Sequence, residues 1–82
     1  MSDRTPHRRN LVGYITQHDL DLHTVRLRAP APEERPGNGF VLFQGKYDPT
    51  AVRVDVVRDA FYHGALVRCT VVHGHIIDAA FV

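Results

Sequence analysis

The stretch Asp48-Pro-Thr-Ala-Val-Arg-Val-Asp-Val-Val-Arg-Asp-Ala-Phe-Tyr-His-Gly64 decides the fold, because it reads either as one more strand or as the one helix of the chain. Within it, Val52-Arg-Val-Asp-Val56 alternates apolar and charged residues as a half-buried strand does. The flanks carry helix punctuation instead: Asp48 suits an N-cap, Pro49 the first helical position, and Gly64 a left-handed stop. In a helix over residues 49–63, Val52, Val56 and Ala60 form an i, i+4 stripe with Arg53, Val57 and Phe61 beside it, so one face can pack on a barrel. β-branched valines lower helix propensity without forbidding it, and the helix is the expectation.

Strand chemistry surrounds this segment. After it, Ala65-Leu-Val-Arg-Cys-Thr-Val-Val72 and Ile76-Ile-Asp-Ala-Ala-Phe-Val82 are joined by His73-Gly-His75, a hairpin with an exposed turn. Alternation assigns Cys69, Phe81 and one of Leu66 or Val67 to the core. Before it, Phe40-Val-Leu-Phe-Gln44 forms a short third strand ended by Gly45. Residues 22–28 form the second strand, with Val25 and Leu27 on one side and Thr24, Arg26 and Arg28 on the other. Leu11-Val-Gly-Tyr-Ile-Thr-Gln17 forms the first, where Gly13 marks a bulge or a sharp bend, and His18-Asp-Leu-Asp21 turns the chain. Residues 29–39 hold three prolines and two glycines, which makes them a long exposed loop. Residues 1–9 read as a flexible arm carrying Arg4, Arg8 and Arg9, and residues 10–82 as a single domain.

The resulting order, three strands, a helix and a terminal hairpin, resembles the OB-fold over roughly residues 10–82. The likeness rests on element order, the glycine in the first strand and the capped helix, with no residue signature for one family. It implies a mainly β domain, a small five-stranded OB-like Greek-key barrel with one helix between strands 3 and 4. It also implies a ligand surface on the second and third strands, where such folds bind single-stranded nucleic acids or oligosaccharides.

Composition narrows the function classes. A chain of 82 residues has room for one core, and its 44% hydrophobic and 23% charged content excludes wholesale disorder. The formal charge of +1 supplies no global attraction to nucleic acid, so any such binding has to use local clustering. No apolar run approaches the roughly 20 residues of a membrane helix, and the polar N-terminus is no signal peptide, so a cytoplasmic protein without membrane contact is expected. Cys69 has no partner for an internal disulfide and reads as a buried, inert thiol.

One face concentrates binding chemistry. If Leu11, Gly13 and Ile15 point inward, Tyr14 and Thr16 share the outer side of the first hairpin with Thr24, Arg26 and Arg28, and Phe40 or Phe43 extends it. An aromatic for base stacking beside cations for phosphate is what single-stranded RNA or DNA requires. The competing reading makes Arg26 and Arg28 an ordinary solvated face paired with Asp19 or Asp21. His73 and His75, with His63 and Asp78, invite a metal, but no HExxH or CxxC spacing is present, and a polar hairpin tip is the preferred reading. Neither metal nor cofactor is expected. Enzyme signatures are missing, and Glu33 and Glu34 sit in the proline-rich loop, which is no frame for catalysis. Two functions remain: a single-stranded nucleic-acid-binding module through Tyr14, Arg26, Arg28 and Phe40, or a protein-interaction or homo-oligomerising domain using exposed strand edges and the apolar residues 79–82.

Overall fold

In a computed structural model of the chain, residues 8–30 and 39–82 are described. They form β1 (Arg8–Asp19), β2 (Thr24–Arg28), β3 (Val41–Lys46), α1 (Val54–His63), β4 (Leu66–Val72) and β5 (His75–Phe81). The five strands make one sheet in the order β3-β2-β1-β4-β5, with every neighbour antiparallel. The domain is therefore mainly β, with one helix among the described residues, between β3 and β4, as the element order implied.

The 12-residue β1 organises the sheet. Its first half pairs with β4, from Arg8 opposite Val72 to Tyr14 opposite Leu66, and its second half with β2, from Tyr14 opposite Arg28 to Asp19 opposite Thr24. β1 changes partners at Tyr14, next to Gly13, and the irregularity in its register comes later than the glycine, between Ile15 and Gln17. The strand is longer than the expected 11–17 and takes in Arg8 and Arg9 from the segment read as an arm. Residues 1–7 and 31–38, most of that arm and most of the proline-rich loop with Glu33 and Glu34, lie outside the described residues.

The sheet curls until its two edge strands approach. They meet at one parallel bridge, Tyr47 with Ile76, where the Asp48 amide donates to the Ile76 carbonyl at 2.9 Å. Inside the curl, Ile15, Val25, Leu27, Phe43, Val67, Cys69, Val71 and Ile76 point from alternate strand positions into one core. Cys69 is fully buried, and burial pushes its thiol up to about 11, so it stays protonated as an inert apolar group.

The helix differs from expectation at its start. Asp48 caps a turn instead of a helix: its Oδ1 accepts from the Thr50 amide and hydroxyl, and its carbonyl accepts from the Ala51 and Val52 amides. Val52 enters the core ahead of the helix, and α1 begins only after Arg53, whose backbone is still extended. Asp55 in the first turn faces the positive end of the helix dipole and pairs with Arg53 at 2.7 Å. The buried stripe is Val57 and Ala60 flanked by Val54 and Phe61; Val56, placed on the stripe by the earlier start, is only half-buried. Gly64 ends the helix in the left-handed conformation at φ 62°, as read from sequence.

The terminal hairpin turns on His73 and Gly74, both at positive φ, which is the backbone of a type I′ turn. His73, Gly74 and His75 are exposed and Val67 is buried, as expected. Phe81 is a correction: it is 50% exposed, because β5 is an edge strand and Phe81 lies at its end opposite Val67. Its burial is worth about 1 kcal/mol, half of what a fully buried phenylalanine contributes. Among the described residues, no helix is long and apolar enough to cross a membrane.

Candidate ligand-binding face

The outer side of β1, β2 and β3 presents three cross-strand rows. Tyr14, Arg28 and Val41 form the first, Gln17, Arg26 and Gln44 the second, and Asp19, Thr24 and Lys46 the third. Tyr14, Arg26 and Arg28 are thus brought onto one face, all half-buried. Thr16 is not beside Tyr14 as alternation predicted. A bulge between Ile15 and Gln17 takes it out of register; its hydroxyl lies 3.4 Å from the Arg26 carbonyl, and Gln17 fills the place opposite Arg26. Phe43 is in the core and cannot extend the face. Phe40 is 73% exposed at the end of the face. It sits opposite Ala29, whose amide donates to its carbonyl, one position past the Arg28–Val41 pair, so alternation turns it to the other side.

The electrostatics of the face follow from where the carboxylates go. Among the described residues the ion pairs are Arg53–Asp55 and Arg58–Asp59, both on the helix segment. Asp19, the partner expected for the strand arginines, accepts instead from the Asp21 and Leu22 amides and closes the β1–β2 turn. Arg26 Nε donates to the neutral Gln44 Oε1 at 3.3 Å, and Arg28 Nη1 donates to the Gly39 carbonyl at 2.9 Å. A guanidinium carries five N–H donors in a planar fork. Among the described residues each arginine is therefore held in position by one bond, which leaves most of its fork for a phosphate.

Two clefts continue the face toward the β1–β2 turn. One, of about 490 Å³, is lined by Gln17, His18, Asp19, Thr24 and Gln44. The other, of about 320 Å³, lies between that turn and the β4–β5 turn and is lined by His23, Lys46, Tyr47, Asp48 and His75. Lys46 belongs to the third row and also borders the second cleft, and alternation from Gln44 is its one signal in the sequence. His23 carries the cleft wall with φ at 56°, a left-handed conformation in which histidine is over-represented among non-glycine residues. No group of three or more His, Cys, Asp or Glu among the described residues is arranged to hold a metal ion. His75 Nδ1 lies 3.1 Å from the His73 carbonyl within the turn itself.

Behind the clefts, buried Tyr47 holds its hydroxyl 2.8 Å from His18 Nε2, with the His23 ring edge-on at 5.6 Å. Burial lowers the His18 pKa below its ordinary 6.5; Asp19 opposes this, and His23 and Arg58 reinforce it. The unfolded chain binds this proton more readily than the native state, so stability present above pH 6.5 is lost as pH falls through the lower folded value. Asp48 and Asp55 act elsewhere: the Thr50 hydroxyl and the Arg53 guanidinium respectively hold their carboxyls below 3.8, so their contributions fade only in stronger acid. Thermal melts followed by circular dichroism should show a lower midpoint at about pH 5.5 than at about pH 7.5, and His18→Gln should flatten that difference. An unaltered pH slope in the variant would assign the effect to another group.

No family model matches this chain, and no curated protein or solved structure does either.

Proposed function

We propose that the chain is an OB-type barrel that binds single-stranded RNA or DNA along the outer face of β1, β2 and β3. Support for the scaffold comes from the strand order, the helix between β3 and β4, and the parallel approach of β3 to β5 at Tyr47 and Ile76. The observation that carries the function is the Tyr14–Arg28 pair next to Arg26, an aromatic surface and two guanidiniums that no described carboxylate neutralises. Bases stack on Tyr14 while phosphates run along Arg28, Arg26 and Lys46 toward the clefts. Phe40, exposed but turned to the other side, lies off this path.

Counterion release makes the reading quantitative. With about three phosphates neutralised, the logarithm of affinity falls with slope roughly −2 against log salt for a single strand, about a 20-fold loss for a fourfold rise in salt. Fluorescence anisotropy with labelled oligonucleotides at two ionic strengths measures this directly. Replacing Arg26 and Arg28 together by alanine should weaken binding by about tenfold or more and reduce the slope to that of about one contact. Absence of binding at low salt and micromolar protein, or a slope that the double variant leaves unchanged, rules the proposal out.

A further inference from the structure

We infer that the outer edge of β3 pairs antiparallel with the same edge of a second copy of this chain. The register identifies the backbone groups involved. Tyr47 N–H donates to the His23 carbonyl at 2.9 Å, so those two residues form a hydrogen-bonded pair. In an antiparallel ladder such pairs alternate with pairs whose backbone groups point outward. Counting back through Lys46 opposite Thr24, Gly45 opposite Val25 and Gln44 opposite Arg26, Gln44 turns its N–H and C=O away from β2. Among the described residues no backbone group meets them, because the edge joins β5 only at the Tyr47–Ile76 bridge, beyond Lys46. The other edge strand, β5, has α1 packed against it and carries Asp78.

Edge strands that remain single are defended by charge or proline. Gly39-Phe-Val-Leu-Phe-Gln-Gly45 has neither, and both Phe40 and Val41 are exposed. This stretch, uncharged up to Lys46, is complementary to itself about a two-fold axis, since no like charges are opposed within it. An axis at Phe43 bonds Gln44 of each copy to Leu42 of the other and stops short of the bridge to Ile76. It also keeps the two Lys46 ammonium groups six residues apart along the ladder, roughly 20 Å at about 3.3 Å per residue. That exceeds the Debye length of about 8 Å at physiological ionic strength, so their repulsion is screened. The pairing does not depend on the nucleic-acid reading, and it aligns the two Arg26–Arg28 faces on one continuous sheet.

Size-exclusion chromatography with light scattering, in the absence of nucleic acid, tests the inference. The full chain should have the mass of a dimer at high concentration and dissociate on dilution. Gln44→Pro removes an outward N–H and none that bonds β2, so it should give a monomer with an unchanged β spectrum. Val41→Lys, at an exposed side chain with the backbone intact, should do the same and decides the matter if the proline variant unfolds. A full chain that stays monomeric at about 1 mM, the weak limit of specific association, overturns the inference. So does a dimer that survives both variants, since it then uses another surface, and so does a monomer that takes up only a foreign strand at this edge.

Discussion

Gly13→Ala should lower the thermal midpoint by roughly 10–20 °C while the β spectrum below the transition is retained. A Cβ at this position would stand 2.3 Å from the Arg28 carbonyl oxygen, 3.1 Å from its carbon and 3.3 Å from Leu42 Cδ1. The first two are main-chain atoms of β2, fixed by pairing on both sides, so the strands themselves have to separate. Overpacking of this kind costs about 2–3 kcal/mol, and in a domain of this size each kcal/mol moves the midpoint by roughly 4–8 °C. Gly45→Ala provides the contrast. There the nearest atom is Phe43 Cζ at 3.1 Å, the far end of a side chain that can yield by a few tenths of an ångström, and the loss should be much smaller. A Gly13→Ala protein that melts with the wild type would mean that β1 and β2 are not this close.

Leu27→Ala should be at least as damaging. Leu27 is fully buried in the middle of β2, opposite Ile15 on one side and Phe43 on the other. Removing its methyl groups loses their transfer energy and leaves a cavity among strands that cannot collapse, about 2–5 kcal/mol in all. A chain of this length has a total stability of only about 4–12 kcal/mol, so a large share of it depends on this one side chain. Arg26→Ala, the adjacent residue pointing the other way, should change stability by no more than about 0.5 kcal/mol. Denaturant melts of the two variants provide the comparison, and equal midpoints would contradict the inward and outward assignment of β2.

That assignment was legible in the sequence, and the reason others were not is instructive. Val25 and Leu27 against Arg26 and Arg28 is a period of two written in the chain, and it fixed both the core face and the candidate ligand face. Gly64 was legible because a left-handed stop is a preference of one residue. The helix start was not, since Asp48-Pro49 offers the same chemistry to an isolated turn as to an N-cap, and burial of Val52 decides between them. Thr16 was misplaced because a bulge inserts one residue into the alternation and leaves no compositional mark. Phe81 was misjudged because strand alternation identifies a side of the sheet but says nothing of whether the strand lies at its edge. The His18–Tyr47 contact joins residues 29 apart in the chain, beyond any local pattern. On the ligand face, Tyr14, Arg26 and Arg28 were found by period alone, and Lys46 follows from Gln44 by the same alternation, whereas the second cleft depends on the approach of the β1–β2 turn to the β4–β5 turn, which no local pattern records.

The divided pairing of β1 has a consequence for synthesis. Its second half finds β2 within a few residues, but Asn10 waits for Thr70, 60 residues further on. At ribosomal speeds of about 5–20 residues per second, the first half of β1 remains an open ladder for several seconds after it emerges. An open ladder in a nascent chain is where neighbouring polypeptides on the same message can become entangled. Arg8, Arg9 and Asn10 occupy that waiting stretch, and two adjacent guanidiniums repel a second identical strand until β4 arrives to close it.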